Sequence, residues 1–384
     1  MELYIHIPFC VRKCSYCSFV SFPASEEEKD AYVRSLLREA ELKRRVYNDS
    51  VDTVYIGGGT PSLLSGTQLT ILTEGIRELF HLAPSAEFSV EANPGTLTKE
   101  FLSAAVSAGV NRVSLGMQAF QQHLLDFLGR IHTFDDVRKS VSLVREAGIR
   151  NLNLDLIFGI PEQTVPEWSE TLDAALSLNP EHVSAYGLIP EEGTPLFRRL
   201  ESGQISLPDT EEEREMYNLA IQKLRQAGIF QYEISNFAVN GHECRHNIGY
   251  WTQVPYLGLG LSAASMRIIE QNQPGLTCLR TTNPSDLSVY RNMISSGDLS
   301  PIDSETVLPA ESRFESMMLF LRMTRGITDD EFIALHGVTP AFCFGDKLEA
   351  LQKKGLILHD KGSWKLTRRG MDVQNSILVD LMDD

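Results

Sequence analysis

Short runs of β-branched and aromatic residues alternate with longer helical patterns through the first half of the chain. The helical stretch at residues 26–46 has acidic residues in its first turn and basic residues in its last, as helices favour. Six strand–helix repeats predict parallel βα units, because parallel neighbours need a long crossover. A partial (βα)6 barrel fits this α/β pattern, and a six-unit doubly wound sheet is the alternative. The predicted strands are 3–7, 51–57, 86–92, 112–117, 151–159 and 182–189.

The unusual polar and glycine-rich segments all follow predicted strands. In chain order they are a cysteine loop, GGGTPS, EANPGT, GMQ, FGIPEQT and YGLIPEEGTP. Parallel α/β folds assemble their sites from loops at the carboxyl ends of the strands. The pattern therefore predicts one shared site at this end of the sheet.

The strand–helix rhythm stops beyond about residue 200. A helix near 209–226 is followed by the segments QYEISNFA, RHNIGYW and YLGLGLSAAS, and the pattern becomes helical again from about residue 310. Two short strands around Lys361-Gly362 complete what looks like a small winged-helix-like α+β module. We expect a barrel over residues 1–235, a connecting region over 236–305 and the C-terminal module over 306–384.

Composition and charge narrow the class of protein. The 384 residues are 42% hydrophobic and 22% charged, as in ordinary globular proteins, with a formal net charge of −16. Such acidity argues against nucleic acid as the main partner, since phosphate binding needs a basic surface. No apolar run is long enough to span a membrane, which leaves only transient contact with a membrane surface open. The N-terminus lacks the features of a signal peptide, and we expect a cytoplasmic protein.

Three cysteines, Cys10, Cys14 and Cys17, form a CxxxCxxC run directly after the first predicted strand. Three thiolates so close together suit a soft metal centre, and in a [4Fe–4S] cluster they would leave one iron open to another ligand. Zinc is the alternative, with His6 as a fourth ligand. The other cysteines, Cys244, Cys278 and Cys343, stand alone and far apart.

Several polar residues at the strand ends are candidates for ligand binding. The glycines of GGGTP let a ligand approach the backbone closely. Asp155 interrupts an apolar strand and must have a partner, which is either a ligand or a structural arginine such as Arg112 or Arg130. Glu91 and Gln118 are either ligand contacts or loop hydrogen bonders.

The segment RHNIGYW is ambiguous from its residues alone. His246 could ligate haem iron through its imidazole, with Tyr250 and Trp251 against the macrocycle. The other interpretation is a packed turn. Cys244, two residues before the histidine, would be a soft second ligand in the first case and a small buried side chain in the second.

In combination, CxxxCxxC after HIPF, GGGTPS, EANPGT, LGMQAF, LGRIH and NLDLIFGIPEQT resemble the radical S-adenosylmethionine superfamily. The resemblance is to the branch that holds oxygen-independent coproporphyrinogen III oxidase and a related haem chaperone. It runs from residue 1 to about 267 and is looser in the C-terminal module. It implies a partial (βα)6 barrel, a [4Fe–4S] cluster and S-adenosylmethionine on the open iron. There an electron from the cluster would split the sulfonium into methionine and a 5′-deoxyadenosyl radical.

The resemblance also implies roles for individual residues. Cys10, Cys14 and Cys17 would hold the cluster, and Gly58, Gly59 and Thr60 would meet the amino acid part of S-adenosylmethionine. The polar residues Glu91, Gln118, Arg130 and Asp155 would contact the same S-adenosylmethionine or a second cofactor molecule. The full set implied at the cofactor cavity is Tyr4, Tyr16, Gly58, Gly59, Thr60, Glu91, Gln118, Arg130, Asp155, Gly187 and Ala264.

Three features bear on the choice within this branch. The oxidase pattern is CxxxCxxCxC, and Phe19 stands at its last cysteine position. The oxidase carries an extension before the cluster loop, whereas nine residues precede Cys10 here. RHNIGYW matches the HNxxYW element of the haem chaperones, which favours His246 as a haem-binding residue. One departure is GLGLSAAS at 258–265, which is closer to the oxidase.

The leading hypothesis is therefore a haem chaperone that binds one haem per chain and passes it to an unidentified acceptor protein. The cluster and S-adenosylmethionine would regulate binding or transfer. The alternative is an enzyme that decarboxylates coproporphyrinogen III to protoporphyrinogen IX without oxygen. A redox-sensing winged-helix regulator is disfavoured by the acidic charge.

Overall fold

The computed structural model describes residues 1–271 and 275–382. Its first half contains the six predicted strand–helix units. The strands are β1 Glu2–Ile7, β2 Val51–Gly58, β3 Leu82–Ala92, β4 Arg112–Gln118, β5 Asn151–Phe158 and β6 His182–Gly187. The helices are α1 Glu26–Lys43, α2 Gly66–Leu79, α3 Lys99–Ser107, α4 Gln122–Leu128, α5 Phe134–Glu146, α6 Val165–Leu176, α7 Pro195–Glu201 and α8 Thr210–Gln226, with a 3₁₀ turn at Pro61–Leu63.

The order of the strands decides between the two expected topologies. β1 to β6 lie side by side in chain order and all pair in parallel. A doubly wound sheet would reverse its order at a switch point, and this sheet does not. The barrel-type order is thus confirmed, and it brings the carboxyl ends of all six strands to one edge.

The connecting region extends this sheet at both of its ends. β9 pairs in parallel with β1, and β8 pairs antiparallel with β6, giving a mixed sheet of twelve strands among the described residues. The elements of this region are β7 Phe230–Gln231, β8 Asn236–Ala238, α9 Arg245–Trp251, β9 Tyr256–Leu259, β10 Ala264–Gln271, β11 Leu276–Thr282, α10 Leu287–Ser296 and β12 Asp303–Val307.

Local sequence signals explain where the helices begin. Ser25, Thr133, Thr164 and Asp209 each accept a hydrogen bond from the backbone of the third helical residue, whose side chain returns one. These capping boxes set the starts of α1, α5, α6 and α8. α1 ends at Lys43, three residues earlier than predicted, and Val46 and Tyr47 form a turn by donating to the Lys43 carbonyl.

The C-terminal domain has the helix and strand order of a winged helix and its own hydrophobic core. Lys361 and Gly362 both have positive φ at the hairpin tip, as a two-residue turn requires. Arg368 lies over the ring of Tyr217, which joins the domain to the barrel. Its elements are α11 Pro309–Phe320, β13 Ile327–Thr328, α12 Asp329–His336, α13 Pro340–Lys353, β14 Ile357–Asp360, β15 Ser363–Leu366, α14 Arg368–Asp372 and α15 Gln374–Leu381.

Among the described residues, no helix is both long enough and apolar enough to cross a lipid bilayer.

Candidate cluster and cofactor site

A cavity of about 430 Å³, here called the barrel cavity, lies at the carboxyl ends of the parallel strands. Most of the residues predicted at the site converge on it, although they come from six different strand–helix units. The predicted residues that line it are Cys10, Cys14, Cys17, Tyr16, Gly58, Gly59, Glu91, Gln118, Arg130, Asp155 and Gly187.

The cysteine loop is tied to the barrel on both sides. The Cys10 N–H donates to the Phe22 carbonyl at 3.1 Å, and the Ser15 N–H donates to the Leu128 carbonyl at 3.0 Å. Arg130 Nη1 donates to Cys14 Sγ at 3.5 Å. These hydrogen bonds hold the three thiols of the loop in the lining of the cavity.

The donor set fits a [4Fe–4S] cluster. Burial, followed by the proximity of Cys14 and Cys10, raises the pKa of the Cys17 thiol, so the three sulfurs share one environment. No three or more His, Cys, Asp or Glu side chains among residues 1–271 and 275–382 surround a single metal position. His6, the fourth ligand of the zinc alternative, has both ring nitrogens in hydrogen bonds at 3.0 Å, to Val20 O and Tyr4 Oη.

Two glycines of GGGTP bring the cavity wall close to the cysteine loop. Gly58 has φ +110°, and a Cβ there would lie 2.5 Å from the His6 ring. A Cβ on Gly59 would lie 2.7 Å from the Phe9 carbonyl oxygen. Only glycine fits where β2 passes so near the loop, and it leaves the backbone open to a ligand.

Glu91 lies beneath this glycine turn. Its Oε2 accepts from the Gly58 N–H at 3.0 Å, and its Oε1 accepts from the Tyr55 hydroxyl at 2.9 Å. Burial, and then the nearby Asp155, raises the pKa of Glu91 to about 7. The carboxyl group is therefore balanced between its neutral and charged forms near neutral pH.

Asp155 is partnered by neutral groups. Ser114 Oγ and Asn153 Nδ2 each donate to its carboxylate at 2.8 Å. Neither Arg112 nor Arg130, the alternative structural partners, forms an ion pair with it among the described residues. Burial raises the pKa of Asp155. A cationic or hydrogen-bond-donating ligand in the cavity would stabilise its charge.

Arg130 and Gln118 form the wall opposite these carboxyl groups. Arg130 Nη2 donates to Asn93 Oδ1 at 2.6 Å and to the Gly116 carbonyl at 3.0 Å. Gln118 has a φ of 66°, an uncommon conformation for this residue type that is seen at binding sites. Asn93 also donates to Thr60 Oγ1 at 2.7 Å.

Asn93 and Tyr55 are site residues that we did not predict. Asn93 links Arg130 to Thr60, and Tyr55 supports Glu91 while stacking on Tyr4 at 6.4 Å. The position of Asn93 within EANPGT was an available signal. Tyr55 lies in the middle of β2. Only the register of β2 with β1 and β3 shows that its side chain faces Glu91.

Three residues implied at the cofactor lie outside the lining of the barrel cavity. Tyr4 lies beneath the cavity, where its hydroxyl forms a hydrogen bond with His6 Nδ1 at 3.0 Å. Thr60 is buried behind the cysteine loop, 3.4 Å from Cys10 Sγ. Ala264 is exposed at the start of β10, an antiparallel strand outside the parallel sheet.

His246 lies at the opposite, amino-terminal end of the barrel. It is 1% exposed, with Nδ1 2.7 Å from Thr53 Oγ1 and Nε2 3.0 Å from the Tyr250 hydroxyl. Burial, and then Arg112, lowers its pKa to about 3, so the ring is neutral. Iron ligation by His246 stays a prediction, and it requires the ring to give up one of these hydrogen bonds.

Comparison with known proteins shows to which class of protein this fold and these site residues belong. Residues 4–175 match the radical SAM superfamily, and residues 307–373 match the HemN C-terminal domain. The structure of coproporphyrinogen III oxidase (HemN) from Escherichia coli, a radical SAM enzyme, is similar to this one, with a TM-score of 0.83 over 99% of this chain and 89% of that chain. At 22% identity this likeness shows the fold. The superfamily implies a [4Fe–4S] cluster and S-adenosylmethionine.

Relatives of similar length narrow the family further. The heme chaperone HemW of Bacillus subtilis is 37% identical over 97% of both chains. The heme chaperone HemW of Escherichia coli is 35% identical over 98% of this chain and 97% of the relative. The chain belongs to the HemW family within the radical SAM superfamily.

Proposed function

We propose that this chain is a haem chaperone, which binds haem together with a [4Fe–4S] cluster and S-adenosylmethionine and passes the haem to an acceptor protein. The observation that carries the proposal is the near full-length similarity to proteins named heme chaperone HemW. The acceptor is a protein still to be identified, and we place the activity in the cytoplasm.

In this proposal the barrel cavity holds the cluster and its cofactor. Cys10, Cys14 and Cys17 hold the cluster, which supplies one-electron chemistry when bound. The glycine turn has no side chains that would block the cofactor, and Glu91 offers a carboxylate to the cofactor's ammonium group. Arg130, fixed by Asn93 and Gly116, offers a cation to its carboxylate.

The alternative is oxygen-independent coproporphyrinogen III oxidation, which would use the same cavity. The three cysteines and the HemN-like fold favour it. Against it stands Phe19, which lines the cavity at the position of the oxidase's fourth cysteine. A phenyl ring supplies neither a thiolate nor a proton there.

An anaerobic haem titration of the cluster-reconstituted protein tests the proposal. We expect a saturable change in the Soret band near one haem per chain, recorded with and without S-adenosylmethionine. Absence of saturable binding would refute the chaperone function. Turnover of coproporphyrinogen III under the same conditions would then establish the alternative.

A further inference from the structure

A second and larger cavity lies between the barrel and the C-terminal domain. It measures about 900 Å³, twice the volume of the barrel cavity, and we call it the interdomain cavity. Its walls are β6, α8, α9, residues 233–236 and the segment 371–376 of the C-terminal domain, with Arg322. Cofactor-sized ligands occupy pockets of roughly 300–1,000 Å³, so this cavity can hold a large one.

Helix α9 presents its two faces to different parts of the molecule. Asn247, Tyr250 and Trp251, spaced as neighbours on one helical face, line the interdomain cavity. His246 and Gly249 point into the barrel, where a Cβ on Gly249 would lie 1.6 Å from Glu2 Oε1. The RHNIGYW segment therefore offers its aromatic face, not its histidine, to the cavity.

Buried polar atoms without partners surround this cavity. Glu233, Asn236 and Gln374 line it and are only 0%, 2% and 7% exposed. Glu233 Oε2, Asn236 Oδ1 and Gln374 Nε2 have no hydrogen-bond partner in the described part of the chain, and the same is true of Trp251 Nε1. Buried polar groups are normally paired, because an unpaired group has lost its hydrogen bonds to water without gaining others. Their convergence on one cavity points to a ligand with polar groups at its edge.

Flat rings and cations border the same space. Arg322 lies over the Trp251 ring at 4.4 Å, and its Nε has no hydrogen-bond partner among the described residues. The exposed Arg214 also lines the cavity. This combination suits a planar apolar ring that carries carboxylates.

The acidic groups that face the cavity are partly compensated by arginines. Glu233 Oε2 is 3.8 Å from Arg322 Nη2. Asp372 lies 3.7 Å from Arg368. Glu213 is the third acidic residue of the lining. A dianionic ligand would thus compete with Glu233 for Arg322.

We propose that the interdomain cavity is the haem seat, with the porphyrin against Trp251 and its propionates toward Arg322 and Arg214. The C-terminal domain forms one wall of this seat through Gln374. The inference rests on the proposed function, since it assigns the place of the haem. In the described conformation His246 lies on the side of α9 away from the cavity. It is a positioning residue, because its Nε2 forms a hydrogen bond with the Tyr250 hydroxyl.

A pair of tryptophan substitutions on α15 tests the location. Asn375 lines the cavity, whereas the exposed Val379 on the same helix does not. We expect Asn375→Trp to fill the space and weaken haem binding at least about tenfold in the anaerobic titration. Val379→Trp should bind haem like the wild type, and both variants should keep their cluster absorbance and bind S-adenosylmethionine normally.

A second measurement compares the affinities for haem and for haem dimethyl ester, in which both propionates are esterified. Arg322→Gln should lower the affinity for haem about tenfold and change that for haem dimethyl ester little, because the ester has no carboxylate to lose. The inference is overturned if Asn375→Trp binds haem as tightly as the wild type, or if Arg322→Gln weakens both ligands equally. In either case wild-type binding would leave the chaperone function standing. A wild-type protein that binds no haem would refute that function first, and the seat with it.

Discussion

The two cavities of this molecule share Tyr186, Gly187 and Ile189 as a common wall, but the rest of each cavity is built differently. The barrel cavity is lined by loops that each follow a strand of the parallel sheet, within residues 10–191. The interdomain cavity combines β6, α8 and α9 with residues from 322 to 376. A local topological rule locates the first, whereas the second exists only because the C-terminal domain packs on the barrel.

Their polar groups differ as well. In the barrel cavity, Glu91, Asp155 and Arg130 all have partners at 2.6 to 3.0 Å. In the interdomain cavity, Glu233 Oε2 and Gln374 Nε2 have no hydrogen-bond partner among the described residues. The first site is preorganised by its own network, whereas in the second a bound ligand would complete the hydrogen bonds of these buried groups.

Removal of a cluster cysteine should have the largest effect, because it should abolish cluster binding in the barrel cavity and leave haem binding in the interdomain cavity intact. We expect Cys14→Ala to abolish the cluster absorbance near 400 nm, since two thiolates do not hold a [4Fe–4S] cluster. Haem titration should still show saturable binding, because no cysteine lines the interdomain cavity within the described chain. Cys343→Ser, on α13 away from both cavities, is the matched control and should leave both signals intact. Loss of haem binding together with the cluster would contradict the separation.

Replacement of the aromatic wall should have the next largest effect. Trp251→Leu should weaken haem binding by about thirtyfold, or ~2 kcal/mol, the usual cost of removing a buried aromatic anchor. Binding of S-adenosylmethionine, followed by calorimetry, should not change. A variant that loses both ligands would show that the two cavities are one site.

The pH dependence of S-adenosylmethionine binding should arise from Glu91. Its pKa of about 7 means that its charge is lost as the pH falls through neutrality. An ionised carboxylate attracts the cofactor's ammonium group, so we expect about tenfold weaker binding at pH 6 than at pH 8. Glu91→Gln should bind S-adenosylmethionine more weakly than the wild type at pH 8, and its affinity should not change with pH. Its haem affinity should equal that of the wild type at pH 6 and at pH 8.

The same group makes a prediction for the cofactor-free protein. The folded-state pKa lies above the ordinary 4.5, so the folded state holds this proton more tightly than the unfolded state. The contribution of Glu91 to stability is therefore largest below pH 4.5 and falls as the pH rises to about 7. Thermal unfolding of Glu91→Gln should lack this component, and an identical pH profile would contradict the assignment.

The smallest expected effect concerns His246. His246→Ala removes the hydrogen bond to Tyr250, worth about 1 kcal/mol, and should weaken haem binding roughly fivefold. The Soret maximum should stay in place if the ring only positions Tyr250, and Tyr250→Phe should weaken binding similarly. A shifted Soret band with lost binding in His246→Ala alone would establish iron ligation by this imidazole.

Much of the fold and of the barrel cavity could be predicted from the sequence. The run from Leu3 to Ile7 and five later apolar runs identified the parallel strands, and Gly58 and Glu91 were found because they lie at the carboxyl ends of two of them. Asn93 was missed since an asparagine in a loop has many roles, and only its contacts with Arg130 and Thr60 single it out.

By itself, the sequence determined the parallel sheet, the cysteine loop and the convergence of polar residues at the carboxyl ends of the strands. These follow from periodicity and from the geometry of parallel strands, which are local properties. Only the tertiary structure decided that α9 directs His246 into the barrel and Trp251 toward the C-terminal domain. The rotation of a short helix depends on what packs against each of its faces, and those contacts come from segments far apart in the chain.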